Sequence, residues 1–307
     1  MLKRPRVTVL ICTLGRPSVE DAVRTVLASE AIDVELVVVD QSPDDVTASL
    51  VADLLDDERL VIVRSATMGV SRGRNLGLRR ATNDIVLITD DDVTVPVDWA
   101  RRFHAAVESL EQVAVAFCRV DAGPHDRKLG FIPDHEVEER VVVRSLLSKS
   151  RARGIGAGMA VRRHDVLSIG GFDEQLGPGG RLRSGEDRDL AARALASGWW
   201  VLQIPDAFVV HHGFRTWAQG RSLTRRDWYG IGAAYAKQLK WRNVGIVPVI
   251  AHEVMWFGFI KPVVGFLFGR RRNGLRRIGY FASGFVAGLR TPVDALRMLY
   301  VDETTAV

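Results

Sequence analysis

The stretch Ile85-Val86-Leu87-Ile88-Thr89-Asp90-Asp91-Asp92-Val93 decides how this 307-residue chain is read. A short apolar run rich in β-branched residues is what a strand covered on both faces looks like. Three adjacent carboxylates at its carboxyl end repel one another, and two environments relieve the repulsion: water in a surface turn, or a divalent cation among the side chains. Hard cations of this kind take carboxylate oxygens together with substrate phosphates, so the second environment brings a phosphate-bearing substrate with it. The triplet alone leaves both open.

Outward from it, residues 7–12, 34–39, 60–63 and 113–117 form further short β-rich runs. Helix-like segments at 19–28, 45–55, 72–81 and 97–110 separate them. Strands alternating with helices imply βαβ units and a mostly parallel sheet with helices on both faces. Open sheets of this kind bind ligands beyond the carboxyl ends of their strands, where Asp40 and the triplet both stand. Residues 123–139, with Gly, Pro, His and charges, break the rhythm and read as a loop bordering a site. Gly154-Ile155-Gly156-Ala157-Gly158 leads into Met159-Ala160-Val161. Ser184-Gly185-Glu186-Asp187 opens a helix whose apolar side is Leu190, Ala191, Ala194 and Leu195. Residues 201–204 and 207–210 read as two more strands, the second running into His211-His212, and everything past Trp217 reads as helical. The expected division is an α/β domain over residues 1–215 and a helical region over 216–307.

The chain is 47% hydrophobic and 26% charged, an ordinary globular composition that supports a sizeable core. Cys12 and Cys118 lie in apolar runs and read as buried thiols of a reducing compartment, not a disulfide or metal site. A basic start before residues 7–12 mimics a signal peptide, but the run is short and Gly15-Arg16-Pro17 carries no small-residue cleavage pattern. The segment reads as a cytoplasmic first strand.

The net charge of +5 is unevenly placed. Residues 1–260 hold 34 Lys/Arg and 34 Asp/Glu. Residues 261–297 hold Lys261, Arg270, Arg271, Arg272, Arg276, Arg277, Arg290 and Arg297 against Asp294 alone. The excess points to an anionic partner at that end, and the Phe, Leu, Val and Gly around it suit a membrane better than nucleic acid. Residues 243–269 are very apolar but carry His252, Glu253 and Lys261, so no uncharged run reaches the ~18 residues of a spanning helix. Ile278, Phe281, Phe285 and Leu289 recur at helical spacing beside arginines, the pattern of a helix lying in a membrane interface. Packing on its own domain or in a homodimer is the alternative.

Several side chains can carry chemistry. Asp40, ending a strand, can accept a hydrogen bond from a nucleobase or cap a turn. Arg72 and Arg74 lie in the first turns of a helix with Ser71 as expected N-cap, an anion site or a solvated face. The glycines there fit no P-loop, which excludes that ATPase class. Glu186 and Asp187 stand at a helix start, where the dipole favours the ionised state that a general base needs. His211 and His212 end a strand and can ligate a cation, contact phosphate or simply be buried.

The runs Val9-Leu10-Ile11-Cys12-Thr13, Val39-Asp40-Gln41-Ser42, Gly73-Arg74-Asn75, Asp90-Asp91-Asp92, Gly170-Gly171-Phe172-Asp173 and Gly185-Glu186-Asp187-Arg188-Asp189-Leu190 occur in the order and rough spacing of one family. Over about residues 6–213 the chain resembles the family 2 glycosyltransferases. The resemblance implies a GT-A fold, Rossmann-like, and inverting transfer of a sugar, hexosyl or deoxyhexosyl, from a nucleotide-diphosphate donor to a glycan or lipid-linked acceptor. It places Thr13 and Asp40 on the base, and Arg74, with Arg72 and Asn75, on the base or diphosphate. Asp90 and Asp92 frame the Asp-x-Asp element that contacts ribose and Mg²⁺ or Mn²⁺, with Asp91 beside them on the donor. Asp187 is the implied base, Glu186 positions the acceptor, and His211 or His212 matches a histidine often found near the metal. Gln41 departs from the commoner Asp or Asn, which leaves base preference open. The expected setting is cell-envelope polysaccharide synthesis, on the inner face of the cell membrane. A sugar-phosphate nucleotidyltransferase and a non-catalytic sugar or lipid-carrier binding protein are the other readings.

Overall fold

The computed structural model describes residues 4–267, 274–294 and 296–301. The expected basic residues Arg270, Arg271 and Arg272 lie outside the described residues. In chain order the elements that build the sheet are β1 (Arg6–Thr13), α1 (Val19–Leu27), β2 (Asp33–Asp40), α2 (Val46–Leu50), β3 (Leu60–Arg64), α3 (Val70–Arg80) and β4 (Ile85–Asp90). They continue with β5 (Val93–Thr94), α4 (Trp99–Glu108), β6 (Val113–Ala122), β7 (Gly130–Phe131), β8 (Val141–Val143), β9 (Met159–Arg162), α5 (Arg163–Ser168), α6 (Glu186–Ala196) and β10 (Trp200–His211).

The sheet runs β3-β2-β1-β4-β9-β6-β10-β5, with β8 added to β10. β1, β2, β3 and β4 are mutually parallel and β6 is parallel to β10, while β9 runs antiparallel between β4 and β6. Alternate residues of β1 and β2 feed opposite faces, and both sets are apolar. Val7, Val9 and Ile11 pack toward α1 and α4, whereas Leu10, Val37 and Val39 join the core under α3 and α6. That double burial is why the strands read as continuous apolar runs instead of alternating ones. The two strands expected at 201–204 and 207–210 are one, β10, which passes Pro205 through a register shift between Ile204 and Phe208. An irregularity in pairing is where a residue without an N–H is tolerated.

Beyond the sheet come β11 (Arg215–Thr216), α7 (Trp217–Lys240), α8 (Val247–His252), a π-helical segment (Glu253–Ile260), α9 (Lys261–Leu267) and α10 (Gly274–Arg290). A small hairpin of β12 (Val293–Asp294) and β13 (Leu299–Tyr300) follows, so the end of the chain is not wholly helical as expected. Nor is residue 216 the start of a separate core. Trp228, Ile231, Tyr235, Phe281 and Tyr300 are buried in the same cluster as Phe172, Leu190 and the inner face of the sheet. A fully buried polar knot joins the halves: Lys237 pairs with Asp173 and lies 2.7 Å from Asp189, and the Tyr300 N–H donates to Asp173 at 2.8 Å.

The helical run Val244–Gly265 spans 22 residues with mean hydropathy 1.4, long and apolar enough by length and composition to cross a membrane. On sequence grounds His252 and the charges of Glu253 and Lys261 interrupt this run. The structure shows the helix continuing through all three, with Glu253 neutralised by arginines from elsewhere in the chain.

Candidate active site

Three expected residues meet along one edge. Thr13 pairs in register with Asp40, and Cys12 with Asp90, so the carboxyl ends of β1, β2 and β4 line up at the crevice where parallel sheets take ligands. Asp40 is buried and accepts hydrogen bonds from the Ser42 N–H (2.9 Å) and Arg64 (2.6 Å). Burial raises its pKa, but these bonds outweigh it and hold the carboxyl below its ordinary range.

The triplet divides. Asp90, its side chain 40% exposed, faces Arg74. Asp91 turns inward, where it accepts from the Thr13 hydroxyl at 2.7 Å and pairs with Arg16 at 3.2 Å. Burial pushes Asp91 up despite both. Asp92 points toward His211 Nε2 at 3.1 Å, with Arg16 and Arg215 at 3.6 and 3.7 Å. Burial raises Asp92 as well, yet His211 and the two arginines leave it below the usual carboxylate range.

Arg74 sits between the two acidic groups. Its guanidinium is buried, 3.3 Å from Asp90 and 3.2 Å from Glu186, with the Phe172 ring 5.4 Å away. Gly156 makes room for it: a Cβ there would stand 2.2 Å from Arg74 Nη2. Glu186 and Asp187 open α6 after Gly185, which adopts φ +91°, a left-handed conformation that glycine alone takes without strain. The expectation that the helix dipole keeps both acids ionised fails for Glu186. It is 8% exposed, and burial, reinforced by the charge of Asp187, pushes its pKa up to about 7 against the pull of Arg74. Asp187 is the more exposed of the two, its carboxylate accepting from the Arg188 N–H at 2.6 Å.

Among the described residues no three His, Cys, Asp or Glu side chains gather as a metal cage. The Asp92–His211 pair nevertheless has the chemistry of a sparse cation site. His211 Nδ1 lies 2.8 Å from the Pro133 carbonyl, so that nitrogen carries the proton. Nε2 then turns a lone pair toward Asp92, and two acceptors face each other unless a proton or a cation lies between them. A backbone carbonyl that fixes the second nitrogen is the usual support of a metal-binding imidazole. Burial lowers the His211 pKa, but the hydrogen bond and charge of Asp92 more than reverse it. His212 lines the open cleft together with Asp92, Arg16 and Arg215, its ring 2.8 Å from the Thr94 hydroxyl.

Near the start of α3, one expected role is corrected and another residue is tied to a neighbouring loop. Asn75 spends both ends of its amide on the Phe172 backbone, accepting from the N–H at 2.8 Å and donating to the carbonyl at 2.9 Å. These bonds fix the loop that carries Phe172. Ser71 is not the N-cap of α3, which begins at Val70 after Gly69; its hydroxyl donates instead to the Leu176 carbonyl at 2.9 Å. Arg72 stands outside the row, 3.6 Å from Glu174, with a second bond to the Met68 carbonyl. Sequence reasoning missed Arg16, Arg64 and Arg215. Each lies in a loop or at a strand end, where no periodicity marks it.

The model of glycosyl transferase family 2 matches residues 8–165, more than half of the chain, and that span contains the whole strand-end row. This chain belongs to glycosyl transferase family 2. Within the family it is 27% identical over 220 residues to the succinoglycan biosynthesis protein ExoO of Rhizobium meliloti (strain 1021), covering 68% of this chain and 61% of that protein. It is 24% identical over 181 residues to a glucosyl-dolichyl phosphate glucuronosyltransferase of Haloferax volcanii, covering 56% and 57%. The chain thus spans about three-fifths of the length of these curated relatives. Its fold is that of the GT-A glycosyltransferases. The mannosyltransferase PcManGT of Pyrobaculum calidifontis, solved with GDP-Man and Mn²⁺, superposes with a TM-score of 0.63 at 20% identity, covering 94% of this chain and 88% of that one. S. aureus TarS 1-349 with UDP-GlcNAc gives 0.56 at 15% identity, covering 75% and 66%.

Proposed function

We propose that this family 2 member is an inverting glycosyltransferase that moves a sugar from a nucleotide-diphosphate donor to a hydroxyl of a glycan or lipid-linked acceptor, in envelope polysaccharide synthesis. One observation carries the reading: Arg74 bridges Asp90 and Glu186. The bridge places the strand-end acids and the acids of α6 in the same cleft, as inverting transfer with separate leaving-group and base sides requires.

In this reading Thr13 and Asp40 border the base and ribose, and Arg16, Arg74 and Arg215 offer positive charge to the diphosphate. Mg²⁺ or Mn²⁺, when bound, would be held by Asp92 and His211 with Asp90 beside them, and would stabilise negative charge on the leaving diphosphate as a Lewis acid. Asp187 takes the proton of the acceptor hydroxyl. Glu186, held by Arg74, positions that acceptor and shares the charge of the pair. The relatives' roles in succinoglycan biosynthesis and in glucuronosyl transfer to glucosyl-dolichyl phosphate support this substrate class. The apolar run Val244–Gly265 supports a site at a membrane, which this reading places on the cytoplasmic face.

Donor turnover in Asp187→Asn and Asp92→Ala variants tests the assignment. Both are expected to lose at least ~100-fold, within the range of general-base and electrostatic contributions. Wild-type turnover in both sinks it. Mn²⁺ should raise the melting temperature of the wild type but not of Asp92→Ala, a readout independent of activity.

A further inference from the structure

A cavity of about 320 Å³ opens beside Arg188, the residue that follows Asp187. Arg153, Arg188, Arg277, His135, Trp228 and Phe257 line it. We propose that this cavity seats the phosphate of a lipid-carried acceptor, held by Arg277, Arg188 and Arg153. The proposal rests on the transferase reading and names the acceptor class for the same site.

Among the described residues, the guanidiniums at this cavity outnumber the carboxylates that pair with them. Glu253 receives Arg153 at 2.8 and 3.0 Å and Arg188 at 2.8 Å, so one carboxylate serves two guanidiniums. Lys149, 3% exposed, lies near both arginines and has no side-chain hydrogen bond or ion pair among the described residues. Burial, with the repulsion of Arg188 and Arg153, pushes its pKa down to about 7. Arg277 has no carboxylate partner among the described residues: one nitrogen donates to the Phe257 carbonyl at 3.2 Å, and its buried Nε donates to nothing. His135 Nε2 is likewise buried without a partner. The other wall acids do not change the balance. Asp227 is engaged by Ser184 (3.0 Å) and Arg226 (3.1 Å), and Asp134 is exposed to solvent. Two guanidiniums are oriented by aromatic faces, Arg153 at 3.8 Å from the Phe257 ring and Arg277 at 5.7 Å from Trp228. Oriented forks with surplus charge are the chemistry that recognises phosphate.

The source of that phosphate follows from the wall itself. Glu253 and Phe257 belong to the apolar run Val244–Gly265, whose other side exposes Met255, Trp256, Phe259, Val263 and Val264. A free phosphate makes no use of that surface, whereas an acyl or isoprenoid chain leaving the cavity would lie along it. Arg188 directly follows Asp187, and the charge of Asp187 acts on both His135 and Lys149. A phosphate in the cavity therefore sets how far the carried sugar reaches toward the base.

Full-length wild type and Arg277→Gln are titrated with phosphatidylcholine vesicles containing a long-chain alkyl phosphate, with matched vesicles containing the corresponding alcohol, and with inorganic phosphate as competitor. Co-sedimentation of the protein with the vesicles provides the binding signal. We expect the wild type to bind phosphate-bearing vesicles about tenfold more tightly than alcohol vesicles, and Arg277→Gln to lose that preference. Arg277 pairs with no acid among the described residues, so this variant folds more safely than substitutions at Arg153 or Arg188; Arg277→Lys should keep part of the preference. Equal binding to both vesicles, an undiminished preference in Arg277→Gln, or full competition by inorganic phosphate overturns the proposal. Thermal shift with nucleotide sugars reports the transferase reading separately. A wild type that binds a donor but shows no phosphate preference retains that reading and loses only this one.

Discussion

Glu186 is the carboxyl whose environment differs most from the sequence expectation, and its titration gives a signed test. Its folded pKa of about 7 lies above the ordinary 4.5, so the folded state binds more protons than the unfolded chain between those values. Stability therefore falls as pH rises from about 4.5 through about 7. Glu186→Gln removes that fall. We expect it to match the wild type near pH 5 and exceed it by on the order of 1–3 kcal/mol near pH 8, read from chemical denaturation at the two pH values. A variant that tracks the wild type at both would disprove the burial argument. Gly156→Ala tests the same cluster from the other side. The added methyl falls 2.2 Å from Arg74 and must displace a buried, doubly paired guanidinium. Donor affinity is expected to drop about tenfold with the fold intact, as measured by nucleotide titration alongside circular dichroism.

At the scale of elements, α6 and α7 are held by opposite charges in the core. Lys237, Asp173 and Asp189 are each fully buried, and Arg193 completes the set by donating to Asp189 at 2.8 Å. Removing one partner of such a group strands the others in a low dielectric. Lys237→Met should cost on the order of 3–5 kcal/mol and lower the melting temperature, although it keeps the volume and lies away from Asp90 and Asp187. A loss under 1 kcal/mol would mean that water or rearrangement supports the two aspartates. The knot also explains why the acids of α6 are placed by residues far along the chain: Tyr300 is bonded to the same Asp173.

For the whole molecule, the exposed apolar residues on Val244–Gly265 form one side of a helix whose other side belongs to the core. Deleting the C-terminal helices to test membrane binding would remove Phe281, Tyr300 and the partner of Arg153 and Arg188 together. A paired Trp256→Gln, Phe259→Gln variant leaves those contacts in place. We expect it to shift from the membrane to the soluble fraction of lysed cells at low salt, where electrostatic attraction is least screened. Wild-type protein found wholly soluble under those conditions would rule out membrane association through this surface.

The sequence by itself determined the parallel sheet, because strands buried on both faces must be apolar at every position and the helices between them amphipathic. It also determined the acids at the strand ends: Asp40, Asp90 and Glu186 stand where apolar runs stop or a helix starts. Tertiary structure decided their roles. Whether Asp90, Asp91 or Asp92 faces the cleft depends on alternation at the end of β4 and on Arg74, Thr13 and His211, which come from three other elements. The same holds for Glu253, which read as a charge interrupting an apolar helix and proves to be the counter-ion of Arg153 and Arg188. Local pattern reports what a residue can be buried against. Only the packed fold decides which charge it meets, because Coulomb partners 65 and 100 residues apart, as Arg188 and Arg153 are from Glu253, leave no periodicity to read.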